Sequence, residues 1–209
     1  MRFHDCSTAP SPRRVRIFMA EKGISLPTVQ VDLKSGEHLE PAFRRLNPWC
    51  TVPVLELDDG TCISEAMAVC RFLEEIHPDP PLMGRDAREK GLVAMWEHRC
   101  EIDGFLAAAE ALRNATPRMK GRALPGPEPY EQIPALAERG RKRVQGFFKA
   151  LDQRLADSAF LAGDTYTVAD ITAQVAVDFA GWIKLTIPEA LVHARRWHDS
   201  VSARPSAGA

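Results

Sequence analysis

The chain has 209 residues, of which 45% are hydrophobic and 26% charged, with a formal net charge of -1. That composition supports a sizeable apolar core in one large domain or two small ones. So small a net charge gives no electrostatic reason to expect nucleic acid or an anionic membrane as partner. No apolar run approaches the roughly 20 residues that span a bilayer, and the N-terminus MRFHDCSTAPSPRR lacks the apolar stretch of a signal peptide. The expectation is a soluble cytoplasmic protein.

In chain order, residues 1–5 read as a short strand. Ser11-Pro12 reads as a helix start, with Ser11 as N-cap and Pro12 at the first helical position, where a missing N–H costs nothing. Val15, Phe18 and Met19 share a face, and Gly23 is the expected C-cap residue. Residues 28–33 read as a strand and 38–46 as a short, irregular helix. Val54, Leu55 and Leu57 form a third strand, Asp59-Gly60 a hairpin turn, and Thr61-Cys62-Ile63 the returning strand. Ser64 is placed to cap a helix whose apolar stripe runs through Ala66, Val69, Cys70, Leu73 and Ile76. His77-Pro78-Asp79-Pro80-Pro81 ends it in an extended linker.

After the linker the pattern is helical: a long helix over 86–115, a Pro/Gly-rich loop over 117–129, a helix over 131–156, and a last helix from about Pro188 to Val201. Between the last two, Thr167 and Asp170 carry a capping box, with Tyr166 and Ile171 as its hydrophobic staple, and Val175, Phe179 and Trp182 continue the helix. The division is therefore residues 1–78 as an α/β unit in thioredoxin order (βαβ, then ββα), 79–86 as linker, and 87–209 as an all-α helical bundle.

Three elements of the first unit carry chemistry. Val52-Pro53 opens a strand; with a cis peptide, the Val52 N–H and C=O face outward and can pair with a short peptide ligand, whereas an ordinary trans proline at a strand start offers no such site. Ser64-Glu65-Ala66 opens a helix whose free N–H groups favour an anion, while Glu65 suits an ammonium group. One carbon bearing both a carboxylate and an amine, as in a γ-glutamyl group, satisfies the two together. The alternative is a solvated first-turn carboxylate. The loop CSTAPSP lies before the first helix, where a bound thiol is acidified. Lowering a thiol pKa by about two units takes roughly 2.7 kcal/mol.

Five cysteines are present, Cys6, Cys50, Cys62, Cys70 and Cys100, without C-x-x-C spacing. Neither a metal site nor a local dithiol centre is written in that pattern. Most of the five are expected to be buried reduced thiols, with Cys6 and Cys50 beside candidate loops.

The stretches SPRRVRIFMAEKGI, VDLKSGEHLEPAFRRLNP, TVPVLELDDGT, SEAMAVCRFLEE and FLAGDTYTVADI resemble the cytosolic glutathione S-transferases nearly end to end. The GEH and ATP stretches and KL-x-x-PE near the end are similar to the bacterial and fungal Gtt2-type branch. The resemblance implies the glutathione S-transferase fold, a thioredoxin-like domain binding glutathione as co-substrate, a helical domain shaping the electrophile pocket, and a homodimer. It assigns the peptide-pairing backbone to Val52 before cis-Pro53, the γ-glutamyl contacts to Glu65 and Ala66, and the glycine carboxylate to His38, whose alternative is a solvated loop histidine. At Ala66 the family commonly has serine. Thr167 and Asp170 resemble a structural capping box.

One departure concerns the sulfur. Counting five residues back from Arg14, where serine-type relatives carry the activating hydroxyl, reaches Ala9. The resemblance implies that Gtt2-type relatives, which also lack this hydroxyl, use backbone N–H groups or an ordered water instead. Here Ser11, through its hydroxyl or its N–H, is the candidate catalytic residue, with a plain N-cap as its alternative.

The expected activity is conjugation of the glutathione thiolate to small hydrophobic electrophiles. The alternatives are a glutathione-dependent disulfide or peroxide reductase using Cys6 or Cys50 or glutathione alone, and a non-catalytic glutathione-binding module. Phe105, Leu112, Met119 and Trp182 are candidate pocket residues, each also a candidate core residue. Met67, Arg71 and Glu74 mark the expected dimer face.

Overall fold

A computed structural model describes all residues, 1–209. They fall into two compact units: Met1–Pro80 with Pro125–Pro129 and Ala209, and Pro81–Leu124 with Tyr130–Gly208.

The first unit is built on a four-stranded sheet in the order β2-β1-β3-β4. β1 (Arg2–Asp5) runs parallel to β2 (Thr28–Gln30) and antiparallel to β3 (Val54–Glu56), and β3 pairs antiparallel with β4 (Cys62–Ser64). The β1–β2 crossover is α1 (Pro10–Glu21), and α3 (Ala66–Ile76) follows β4. A 3-10 turn (Glu37–Leu39) and α2 (Pro41–Leu46) fill the irregular stretch between β2 and β3.

Two helix starts differ from the sequence expectation. The N-cap of α1 is Ala9, not Ser11, because Pro10 takes the first helical position. The helix therefore begins early enough to absorb two prolines, and Ser11 lies inside its first turn. At α3, Ser64 is not the cap. It pairs with Val54 as the last residue of β4, so the chain turns one residue later and Glu65 becomes the N-cap. The end of α1 follows expectation: Gly23 has φ +65°, its N–H bonds to Ala20 O at 3.2 Å, and the Ile24 N–H bonds to Met19 O at 2.9 Å, the Schellman pattern. β2 is shorter than expected and exposed along its whole length.

In the second unit the long helix expected over 86–115 is three segments in one continuous run. α4 (Ala87–Arg99) passes through a π-helical turn (Cys100–Phe105) into α5 (Leu106–Ala115). A π turn inserts an extra residue and rotates the downstream face. It brings Gly104 against the Phe147 ring, where an added Cβ would lie 2.6 Å from Cε1. α6 (Pro134–Leu155) crosses α5 at Gly140, where a Cβ would stand 2.7 Å from Ala107 O. α7 (Val168–Ala180) is buried at every residue except Asp178, so it forms the centre of this unit. α8 (Val192–Ser202) begins later than Pro188.

The capping box at α7 extends beyond its own helix. Asp170 Oδ2 accepts the Thr167 N–H (3.0 Å) and hydroxyl (3.1 Å), while Oδ1 accepts the Leu161 N–H and Trp197 Nε1–H, both at 3.0 Å. One fully buried carboxylate thus ties the 161 loop, the α7 start and α8 together. Burial pushes its pKa up to about 6, against the pull of those donors. No helix in the chain is long and apolar enough to cross a membrane.

Candidate functional site

The β3–β4 hairpin sets the geometry. Val54 faces Ser64, so Val52-Pro53 and Glu65-Ala66 leave the ladder at the same end. The Val52–Pro53 peptide is cis. The Val52 side chain is buried, and neither its N–H nor its C=O is used by a hydrogen bond within the chain. An unused backbone donor and acceptor next to a sheet end is an edge open to a short peptide.

The loop that delivers Val52 is fixed by Asn47, which sequence reasoning passed over. Asn47 is buried; its Nδ2 donates to Thr51 O (2.9 Å) and Thr51 Oγ1 (3.0 Å), and its Oδ1 accepts the Trp49 N–H at 3.1 Å. The Asn-Pro dipeptide, a turn-initiating pair, is the signal that marks it. Cys50 adopts φ +54° inside this turn.

Glu65 has φ +72° and ψ +125°. A non-glycine residue in this region costs on the order of 1–3 kcal/mol, and such strain clusters where a ligand is held. Its carboxylate makes no hydrogen bond or ion pair within the chain and is exposed, while Ala66 behind it is buried. The chain thus holds an unpartnered carboxylate at the dipole-positive start of an 11-residue helix. The missing hydroxyl at Ala66 leaves its backbone N–H as the only donor it offers.

His38 is 5% exposed within the 3-10 turn. This removes the solvated-loop alternative.

The β1–α1 loop packs beside Val52. Cys6, Val52, Val54, Val31 and Phe43 form one apolar cluster, and Ala9 packs against it. A side chain at Ala9 therefore meets hydrocarbon, with no hydroxyl in its place. Ser11 Oγ accepts a hydrogen bond from Arg14 Nη2 at 3.0 Å. Pro10 and Pro12 have no N–H, and the Ala9 N–H is spent on Cys6 O at 2.8 Å. Of the first three positions of α1, only Ser11 retains a backbone donor.

The cysteines are all reduced. Cys50 is 1% exposed, with its Sγ 3.6 Å from Pro48 O; Cys6 is nearly buried, 3.5 Å from Thr8 Oγ1. Burial, with the Glu56 carboxylate, raises the Cys62 pKa, and burial raises that of Cys100 further.

Among the candidate pocket residues of the helical unit, Phe105 and Leu112 are core, while Trp182 is half exposed. Phe105, Phe179 and Trp182 form an aromatic row, with ring centroids 5.4 and 5.1 Å apart. Glu74, expected on a dimer face, lies 2.7 Å from the buried Lys22 Nζ and is held within its own unit.

Comparison with known proteins decides the family. Residues 8–76 match the glutathione S-transferase N-terminal domain, and residues 114–205 match the glutathione S-transferase C-terminal domain. The chain is 34% identical over 209 residues to glutathione S-transferase 2 of Saccharomyces cerevisiae, covering 99% of this chain and 87% of that protein. This chain belongs to the glutathione S-transferase family. The crystal structure of Gtt2 from S. cerevisiae superposes with a TM-score of 0.91 at 34% identity, over 99% of this chain and 98% of that one. A glutathione S-transferase domain-containing protein of Marinobacter aquaeolei VT8 gives 0.91 at 38% identity over 99% of both chains. A Gtt2-class glutathione S-transferase of Vibrio parahaemolyticus gives 0.85 at 33%, over 99% of this chain and 95% of that one. The fold is the glutathione S-transferase fold, a thioredoxin-like mixed sheet followed by a helical domain, as the sequence resemblance implied.

Proposed function

We propose that the chain conjugates glutathione, as its thiolate, to small hydrophobic electrophiles in the cytoplasm. The observation that carries this reading is the unused Val52 backbone beside the strained Glu65–Ala66 helix start. Val52 N–H and C=O pair with the cysteinyl backbone of glutathione, with Pro53 holding the turn. The Glu65 carboxylate takes the γ-glutamyl ammonium, and the Ala66 N–H at the α3 terminus takes its carboxylate. His38 is assigned to the glycine carboxylate, where a buried ring gives a fixed contact.

The nucleophile belongs to the co-substrate, so the protein needs no nucleophile and no metal for this step. The Ser11 N–H, the one donor left at the α1 terminus, stabilises the thiolate. The sulfur then attacks the electrophilic carbon. A carbon–sulfur bond forms, and a halide leaves, or an enal takes up a proton after addition. Holding both reactants in one site supplies the remaining advantage.

A homodimer is part of the proposal, with Met67 and Arg71 of α3 on its face; a monomeric mass in solution removes it. The activity is tested with purified protein, glutathione and a panel of aryl halides and enals. Thioether formation is expected. Glutathione binding by calorimetry without thioether formation would make the chain a glutathione carrier, and absence of binding would make it a structural module.

A further inference from the structure

A closed polar ring lies at the C-terminal end of β1, outside the contacts assigned so far. Arg16, nearly two turns beyond the start of α1, folds its side chain back over the loop that precedes its own helix. Its Nη1 donates to Asp5 Oδ1 at 2.6 Å and reaches Cys6 O at 3.4 Å, and its Nη2 donates to Ser7 O at 3.0 Å. Gln30, paired with Asp5 across the β1–β2 register, donates Nε2 to Asp5 Oδ2 at 2.8 Å and accepts the Ser7 N–H on Oε1 at 2.8 Å. Asp5 is buried, and each of its oxygens is matched. The ring Asp5–Arg16–Ser7–Gln30 grips the loop by both backbone groups of Ser7.

Ser7 and Thr8 are otherwise exposed, and the loop has little else to hold it: one backbone bond, Ala9 N–H to Cys6 O, and the Cys6–Thr8 contact. Downstream, Pro10 and Pro12 fix φ on either side of Ser11. The segment from Asp5 to Pro12 is therefore rigid through the ring at one end and the prolines at the other.

That rigidity has a use peculiar to this loop. A serine hydroxyl rotates about χ1 to find a sulfur. A backbone N–H has no such freedom, and its direction is set by the backbone that carries it. With Ala9 lacking a hydroxyl, the sulfur depends on a donor that cannot adjust, and the value of such a donor falls steeply with misalignment. We propose that Arg16, supported by Asp5 and Gln30, is a positioning residue that aims the Ser11 N–H at the glutathione sulfur and so sets the acidity of the bound thiol without touching it. The inference rests on the glutathione-binding reading given above.

The planar guanidinium bridges a carboxylate and a carbonyl together, a task the point charge of lysine performs poorly. The test compares wild type with Arg16→Lys, Arg16→Gln and Gln30→Met, reading the thiolate absorbance of bound glutathione and kcat/KM against pH. Gln30→Met removes the Ser7 and Asp5 bonds while keeping the Arg16–Asp5 ion pair, so it remains informative if Arg16→Gln does not fold. The expected result is a bound-thiol pKa raised by about one unit in Gln30→Met and Arg16→Gln, from about 6.5 to about 7.5 and so roughly threefold less thiolate at neutral pH, and a smaller rise in Arg16→Lys. KM for glutathione moves little, because the γ-glutamyl contacts lie elsewhere. A wild-type thiolate signal whose pKa the folded variants leave unmoved overturns the role of Arg16 alone. Absence of a thiolate signal in wild type overturns the transferase reading and this proposal with it.

Discussion

Val54 faces Ser64 at the open end of the β3–β4 hairpin, so the cis-proline turn and the start of α3 emerge side by side. The hairpin register, more than any single side chain, makes the peptide edge at Val52 and the carboxylate of Glu65 parts of one site. A slip of one residue would turn the side chains of the slipped strand to the other face and shift the Val52 edge out of step with the Glu65 helix start.

The positive φ of Glu65 separates stability from binding. Glu65→Gly relaxes the backbone and is expected to raise stability by about 1 kcal/mol while abolishing the ammonium contact. Glu65→Gln keeps the strain and is expected to weaken glutathione binding roughly 10- to 100-fold, the equivalent of about 1.5–3 kcal/mol for a charge-assisted hydrogen bond. Thermal melts and calorimetry on both variants check the pair. A Glu65→Gly protein less stable than wild type contradicts the argument.

Ser11 Oγ is engaged by Arg14, whereas the Ser11 N–H is open. Ser11→Ala removes the hydroxyl and keeps the N–H, so kcat with an aryl halide is expected to fall by no more than about threefold, well short of the 10²–10³ lost with a dominant donor. A loss approaching the larger value would transfer the role to the hydroxyl.

Burial raises the pKa of Asp170 from the ordinary carboxylate range to about 6. Its protonated form is therefore favoured by folding. The associated stability is present below about pH 4 and is lost as pH rises through about 6. Asp170→Ala orphans the Leu161 and Thr167 N–H groups and the Trp197 indole N–H, at a cost of about 3 kcal/mol or more. Urea titrations between pH 4 and 7 should show the large loss in Asp170→Ala, together with removal of this descending contribution.

Gly140 admits the α5 backbone: a Cβ there would stand 2.7 Å from Ala107 O and 2.8 Å from Ala111 N. Gly140→Ala forces α5 and α6 apart and is expected to cost about 1–3 kcal/mol, despite the better helix propensity of alanine. The control is Gly146→Ala on the same helix, with open space at its Cβ, which is expected to be neutral or stabilising. Urea midpoints distinguish the two.

Local patterns determined much of this protein. The stripe from Ala66 to Ile76, the Asp59-Gly60 turn, the Thr167–Asp170 capping box and the Val-Pro strand start are each written within a few residues, where propensity, capping and turn chemistry act. Those patterns, with the resemblance they carry, sufficed for the α/β and all-α division and for naming Val52, Glu65 and Ala66 as candidates. The helix starts at Ala9 and Glu65 were decided elsewhere, by prolines that had to be accommodated and by a strand register that claimed Ser64. The π turn answers to the packing of Gly104 on Phe147. The burial of His38, the claim of Lys22 on Glu74 and the Asp5–Arg16–Gln30 ring join residues up to 52 positions apart in the chain. No local period encodes such contacts, because they exist only once the sheet and its crossover helix have brought those side chains together. That is why the sequence showed where the sulfur-activating hydroxyl is missing, and only the tertiary structure showed what surrounds the gap.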